Sequence, residues 1–292
     1  MSEKIIYIDG EFLKESEAKI SVFDHGILYG DGIFEGIRAY NGKVFKGKEH
    51  IDRLFFAAKA LMLDIPFTKD EVANIIVETC KRNNLTDGYI RLVVTRGKGD
   101  LGLSPTKCNK ASIFCIAANI TLYPKAMYEK GMPIITASQR RNKSTIIDPQ
   151  IKSLNYLNNI LAKIQANQAG VPEALMLNHD GIVAECTGDN IFIIKDGVIL
   201  TPPIHVGILD GITRNTVIKL AKDLGYTVLE KEFTQYNLYN ADECFLTGTA
   251  AEVIAVTSVD ERIIGDGVCG PITKKLLAAF QAHTKVDGID IK

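Results

Sequence analysis

Four two-residue turn signals restrict the folds open to this 292-residue chain. Asp9-Gly10, Asn41-Gly42, Asp180-Gly181 and Asp196-Gly197 each lie between short runs of apolar or β-branched residues. These dipeptides tolerate the positive φ angles of type I′ turns, so each predicts a hairpin of antiparallel strands. That argues against a fully parallel, doubly wound sheet, in which strands alternate with helices. The glycine-rich stretch 29–36 does not restore one. Its spacing is G-x-G-x-x-x-G rather than the dinucleotide-binding G-x-G-x-x-G, and no clear βαβ unit surrounds it.

Helical periodicity appears in blocks among the strands. In 49–63, Ile51, Leu54, Phe55, Ala58 and Met62 fall on one helical face. Thr68-Lys69-Asp70-Glu71 reads as a capping box that opens a helix with Val72, Ile75, Ile76 and Cys80 toward the core. Further helices are predicted over 155–169, 213–224 and 271–283, stopped or started by Gly170, Gly225 and Pro271. Strand 89–95 places Tyr89, Arg91, Val93 and Thr95 on one face, and the uniformly apolar run 113–118 reads as a strand covered on both sides. The expected fold class is α+β, with two domains of mostly antiparallel sheets and flanking helices. Their expected limits are a small domain over 1–118, a linker over 119–126 with its break near 122, and a large domain over 127–292 that carries Lys152.

Charge and hydropathy exclude several classes of partner. Thirty-four Lys plus Arg against 35 Asp plus Glu leave a net charge of −1, without the basic footprint of a nucleic-acid binder. Apolar stretches are far too short to cross a bilayer, and charges interrupt any signal-peptide core in MSEKIIYIDG. The six cysteines form no C-x-x-C pair and sit in apolar surroundings. They read as buried free thiols of a cytoplasmic protein, not as a disulfide framework or a metal site.

Several segments could carry chemistry. Lys152 stands where an irregular stretch leads into a helix; if helical geometry extends that far, it shares a face with Tyr156. An amine beside a phenol suits a Schiff-base nucleophile, although a lysine taken singly is more often simply solvated. Glu185 closes an apolar strand, and a buried carboxylate there could keep a pyridine nitrogen protonated. Read alone, it is slightly more readily a strand-end glutamate facing water. Leu209-Asp210-Gly211-Ile212-Thr213-Arg214 leads into a helix whose N-terminus can face an anion, and Thr247-Gly248-Thr249-Ala250-Ala251-Glu252 allows close backbone approach to one. Either could equally be a cap or a turn. Arg53, flanked by Ala57 and Ala60, has room to fork onto a phosphate or to sit on the surface. Arg140, Arg141 and Lys143 read as surface charge.

Together these segments follow one pattern. Phe23-Asp24-His25-Gly26, Tyr29-Gly30-Asp31-Gly32-Ile33-Phe34-Glu35-Gly36-Ile37-Arg38, His50-Ile51-Asp52-Arg53-Leu54 and Tyr89-Ile90-Arg91 are followed by Lys152-Ser153-Leu154-Asn155-Tyr156-Leu157 and Glu185-Cys186-Thr187-Gly188-Asp189-Asn190-Ile191-Phe192. Gly211-Ile212-Thr213-Arg214 and Gly248-Thr249-Ala250-Ala251-Glu252 complete the series. In order and separation the chain resembles the class IV (fold type IV) pyridoxal-phosphate-dependent aminotransferases, and most closely the branched-chain amino acid aminotransferases.

The resemblance implies that Lys152 carries the pyridoxal 5'-phosphate, that Tyr156 bonds its phenolic oxygen and that Glu185 pairs with its ring nitrogen. It further implies that Arg53, the Ile212 and Thr213 backbone and Thr249 bind the phosphate, with Leu209 packed on the ring. Tyr89 and the Thr249-Ala250 backbone would receive a substrate α-carboxylate, Arg91 with Tyr29 a distal carboxylate, and Phe34 an apolar side chain. The implied activity is reversible ping-pong transfer of the amino group of leucine, isoleucine or valine to 2-oxoglutarate, by a homodimer that in some members assembles to a hexamer. Relatives acting on D-amino acids carry an Arg-x-His pair in the loop after the central strand. This chain has Gly102-Leu103-Ser104-Pro105-Thr106-Lys107-Cys108 there instead. Aminodeoxychorismate lyase and a non-catalytic cofactor-binding homologue share the fold; Tyr89-Ile90-Arg91 and the presence of Lys152 favour the branched-chain reading.

Overall fold

The structure, a computed structural model, describes residues 3–120 and 123–292. The chain groups into two units, Met1–Ile120 with Ile151–Asn155 and Thr284–Lys292, and Thr121–Gln150 with Tyr156–His283. The break expected near residue 122 lies outside the described residues, while the end of the expected linker already belongs to the helix Lys125–Lys130. Lys152 groups with the first unit, not with the C-terminal residues where the sequence placed it. The reason is backbone pairing: Ser153 bridges Ile33, Phe34 N–H donates to the Lys152 carbonyl at 3.0 Å, and Leu154 N–H donates to the Gly32 carbonyl at 2.9 Å.

In the first unit, β1 (Ile5–Ile8), β2 (Glu11–Lys14), β3 (Gly32–Tyr40), β4 (Lys43–Val44), β5 (Gly88–Thr95) and β6 (Ser112–Ala118) combine with the strand Ile289–Asp290. The seven-stranded sheet runs Ile289–Asp290, β4, β3, β5, β6, β1, β2, and every neighbouring pair is antiparallel. Asp9 and Gly10 turn β1 into β2 at φ of 50° and 109°, and Asn41 and Gly42 turn β3 into β4 at 49° and 74°, the left-handed angles that such dipeptides tolerate. The helices Gly47–Ala60 and Lys69–Arg82 bury Leu54 and Ile76 with Ile33, Ile90, Leu92 and Ile113 of the sheet. The capping box is present: Thr68 Oγ1 accepts from Glu71 N–H at 3.2 Å, and Glu71 Oε2 accepts from Thr68 N–H at 2.7 Å.

Two expectations are corrected here. The first of these helices ends at Ala60, so Met62, at φ 49°, lies beyond it and is exposed rather than facing the core. The 113–118 strand is not covered on both sides. Ile113, Cys115 and Ala117 are buried and Phe114, Ile116 and Ala118 only half-buried, because the two helices line a single face.

The second unit contains β7 (Met132–Thr136), β8 (Glu173–Leu177), β9 (Val183–Cys186), β10 (Asn190–Lys195), β11 (Val198–Thr201), β12 (Val228–Glu230), β13 (Glu243–Gly248), β14 (Glu252–Val259) and β15 (Arg262–Ile263). Its sheet runs β12, β11, β10, β13, β14, β7, β8, β9, with β15 beside β14. The pairs β11–β12, β7–β14 and β7–β8 are parallel and the remainder antiparallel. Asp196-Gly197 makes its predicted tight turn, at φ of 49° and 76°. The Asp180-Gly181 connection is a longer loop, in which Asn178 Oδ1 accepts from the N–H groups of Asp180 and Ile182, each at 2.9 Å. A further pairing sets Asn190 of β10 opposite Glu185 of β9, joining the end of the sheet back to its middle. The fold is α+β, with mostly antiparallel sheets and flanking helices.

Phe192 and Phe245 lie opposite each other in register and stack at 4.8 Å with an interplanar angle of 7°, both fully buried. Replacing Phe245 by alanine is expected to cost about 3–5 kcal/mol, read as a lower midpoint of chemical unfolding. An unchanged midpoint would mean that this stacked pair adds nothing to the stability of the sheet.

Candidate active site

The first unit gathers its site residues at the start of β3. The backbone bonds to Gly32 and Phe34 hold the lysine segment alongside that strand, and Lys152 Nζ sits 4.5 Å from the centre of the Phe34 ring. The Arg91 guanidinium lies 4.6 Å from the same ring and 5.4 Å from that of Tyr89. One aromatic wall therefore carries two cations. Gly36 makes room for it, since a Cβ there would come within 2.0 Å of Tyr89 Oη. Tyr29 ends the short helix His25–Tyr29, and its hydroxyl accepts from Gly102 N–H at 2.8 Å, fixing the start of the 102–108 loop.

Beneath this wall lies Glu35, wholly buried. Its carboxylate accepts from Arg53 Nε at 2.8 Å, Arg53 Nη2 at 2.7 Å and His50 Nδ1 at 2.8 Å. Burial alone would raise the Glu35 carboxyl, yet the charge and hydrogen bonds of Arg53, helped by His50, bring it down to about 2. Burial lowers the His50 imidazole below its ordinary range, and Arg53 and Lys152 push the same way against the pull of Glu35. Arg53 is thus a half-buried arginine gripped by a carboxylate, not a free surface residue.

The second unit centres on Glu185. Its Oε1 accepts from Arg141 Nε at 2.7 Å, and its Oε2 from Asn190 Nδ2 at 2.9 Å and Leu209 N–H at 3.1 Å. Asn190 Nδ2 also donates to the Leu209 carbonyl at 3.0 Å, so Leu209 is tied to the same point at both ends of its backbone. Two residues on lies Gly211, the N-cap of the helix Ile212–Asp223, with no side-chain cap hydrogen bond. A Cβ at Gly211 would stand 2.0 Å from Asn190 Oδ1, and one at Gly248 would stand 1.8 Å from Asp189 Oδ1, so both turns require glycine. Thr249 and Ala250 form the half-buried turn between β13 and β14. Thr247 Oγ1, opposite Asn190 in register, is buried without a hydrogen-bond partner.

This is a helix N-terminus and two glycine turns around a buried carboxylate. A profile of the amino-transferase class IV family matches residues 32–259. The chain belongs to the class IV aminotransferases. A putative branched-chain-amino-acid aminotransferase of Methanocaldococcus jannaschii is 57% identical over 276 residues, 94% of this chain and 95% of that protein. The crystal structure of the Escherichia coli branched-chain amino acid aminotransferase superposes with a TM-score of 0.95 at 34% identity, covering 99% of this chain and 97% of the other. The T.th. branched-chain enzyme, solved with pyridoxamine 5'-phosphate, superposes at 0.93 with 39% identity over 98% and 95% of the two chains. That enzyme has also been solved with N-(5'-phosphopyridoxyl)-L-glutamate and with 4-methylvaleric acid.

In this class IV aminotransferase, Lys152 and Tyr156 do not share a helical face. The helix begins at Leu157 with Tyr156 as its N-cap, because residues 151–155 are drawn into pairing with β3. Arg140 and Lys143 are exposed as expected, but Arg141 is buried against Glu185. Of the six free cysteines five are buried, and Cys108 is only half-buried on its loop. Arg214, in the anion-binding candidate 209–214, is buried elsewhere, on Glu230 Oε2 at 2.7 Å and the Pro202 carbonyl at 3.0 Å. Sequence reading assigned no role to Glu35, His50, Arg141 or Asn190. Glu35 and His50 stood inside quoted motifs, and β3 is buried continuously from Gly32 to Ile37, so no alternation marked Glu35.

Both His50 and Glu35 bind protons less readily in the folded than in the unfolded chain. Their stabilisation is therefore fully present above their ordinary values of 6.5 and 4.5 and is lost on acidification. Melting temperature should begin to fall below pH 6.5, and further as Glu35 is driven toward protonation. His50→Gln should flatten the upper part of that fall; an unchanged slope would remove His50 from the account.

Proposed function

We propose that the protein is a pyridoxal-phosphate-dependent aminotransferase for branched-chain L-amino acids, with 2-oxoglutarate as the second acceptor in a ping-pong cycle. The observation that carries this reading is the buried Glu185 carboxylate, held by Arg141, Asn190 and the Leu209 N–H on a chain whose solved relatives hold phosphopyridoxyl groups. The donor set fits such a cofactor. A carboxylate suits the ring nitrogen, and the helix N-terminus at Ile212 and Thr213, which lacks a side-chain cap, suits a phosphate.

When bound, the cofactor supplies a protonated ring that draws off the electron pair released at the substrate α-carbon. The chain's own residues do the rest. Glu185 holds the ring proton, Tyr156 bonds the phenolic oxygen, and Leu209 packs on the ring. Arg53, aimed by Glu35, binds phosphate with the Ile212 and Thr213 N–H groups and Thr249. Lys152 Nζ carries the cofactor at rest and then moves the proton at the α-carbon. Tyr89 and the Thr249-Ala250 backbone receive the α-carboxylate.

The side-chain pocket must accept an aliphatic chain in one half-reaction and a carboxylate in the other. Arg91 is suited to both, because its guanidinium is laid across Phe34 and Tyr89: the charge, together with the Tyr29 hydroxyl, would meet 2-oxoglutarate, and the rings would meet leucine.

A homodimer is part of this reading. It is supported by Leu157, Ile160, Leu161 and Ile164, which leave an exposed aliphatic stripe along the helix Leu157–Gln168 suited to a second copy of itself. Cytoplasmic residence is supported by the free cysteines. No helix among the described residues is long and apolar enough to cross a membrane.

The test is a visible spectrum of the protein loaded with pyridoxal phosphate, before and after L-leucine without an acceptor. A long-wavelength band that gives way to a shorter-wavelength form with L-leucine, and not with D-leucine, is expected. Lys152→Ala should abolish the band and lower turnover by about 10²–10⁴-fold or more. A wild-type protein that develops no such band would overturn the reading.

A further inference from the structure

We infer that Arg141 is a positioning residue of the reaction: it keeps Glu185 ionised and aimed, and through it sets the protonation of the cofactor ring. The inference rests on the cofactor reading above and assigns a role to a residue whose guanidinium is held on the Glu185 carboxylate.

Of the donors that meet the Glu185 carboxylate, the Asn190 amide and the Leu209 N–H are neutral. Neutral donors orient a carboxyl group but supply no net charge to keep it ionised. Arg141 supplies that charge, at 2.7 Å and with its side chain 7% exposed, where water screens little. The surroundings oppose it. The buried Cys186 thiol is pushed up first by burial, then by Glu173 and Asp189, with Cys244 and Glu185 behind them, so carboxylates crowd this end of the unit, where Lys163 stands 3.7 Å from Glu173. Glu173 and Asp189 are themselves buried, at 2% and 7% exposure. A buried carboxylate so placed is favoured in its charged form by a cation against it, and Arg141 is that cation. Once protonated, the carboxyl group no longer holds a proton on a pyridine nitrogen.

Arg141 is also locked in place. Its N–H donates to the Leu177 carbonyl at 2.8 Å, and its Nη1 donates to Asn159 Oδ1 at 3.2 Å. Asn159 Nδ2 in turn donates to the Thr187 carbonyl at 2.8 Å, which fixes the amide with its oxygen toward the arginine. Asn159 lies in the first turn of the helix Leu157–Gln168, just after the cap residue Tyr156. The network therefore links the neighbourhood of the proposed phenolic-oxygen donor to that of the proposed ring-nitrogen acceptor.

The experiment compares wild type, Arg141→Lys, Arg141→Met, Glu185→Gln and the double variant Arg141→Met with Glu185→Gln, each loaded with pyridoxal phosphate. The rate of band conversion is followed at saturating L-leucine, alongside the apparent leucine affinity. Arg141→Met should slow conversion by at least about tenfold, the factor that one pKa unit carries, with leucine affinity changed far less. Arg141→Lys should recover most of the rate.

The double variant should convert no more slowly than Glu185→Gln alone, because an arginine that acts through Glu185 has nothing left to act on. The double variant also removes the unpaired buried carboxylate, so it keeps the test open if Arg141→Met folds poorly. Additive losses in the double variant, or an Arg141→Met enzyme as fast as wild type, would overturn the inference. A wild type that never shows the band would instead overturn the cofactor reading itself.

Discussion

A carboxylate can be buried only if charge and hydrogen bonds replace the water it gives up. In each unit of this protein one such group stands among the candidate site residues. Glu35 is enclosed by Arg53 and His50, and Glu185 by Arg141, Asn190 and the Leu209 N–H. The requirement runs in both directions. The carboxylate needs its partners, and the partners, once engaged, have their side chains fixed. Arg53 gives two nitrogens to Glu35, which is how a long, flexible arginine acquires one direction. Asn190 reaches Glu185 because β9 and β10 pair there, so the closure of the sheet builds the site at the same time.

The parts that were legible in the sequence are those decided locally. Three hairpins followed from two-residue turns whose φ angles few other dipeptides adopt, and a helix start followed from a capping box four residues long. What failed depended on neighbours distant along the chain. The strand at 113–118 looked double-sided, but helices cover one face only. The helix expected from 155 starts at Leu157, because pairing with β3 holds the preceding residues extended.

The site divides in the same way. Lys152, Glu185, Arg53 and the two turn segments stood out by residue type and by their order along the chain. Arg141 read as surface charge, since nothing local distinguishes it from Arg140. It is buried because Glu185, in β9, is brought beside it by sheet register. A pair so far apart in sequence leaves no periodic trace. Glu35 escaped for a related reason: inside a glycine-rich motif its side chain could face water or core, and only the register of β3 decides.

These two carboxylates give the proposed chemistry its physical basis: one fixes the arginine proposed to bind phosphate, and the other is proposed to hold the ring proton. The second bears the greater weight. Its most direct measurement is the ¹⁵N NMR shift of pyridoxal phosphate labelled at the ring nitrogen and bound to the wild-type protein at neutral pH. The account predicts the shift of a protonated pyridinium. The shift of an unprotonated pyridine would contradict it, leaving Glu185 a structural carboxylate only.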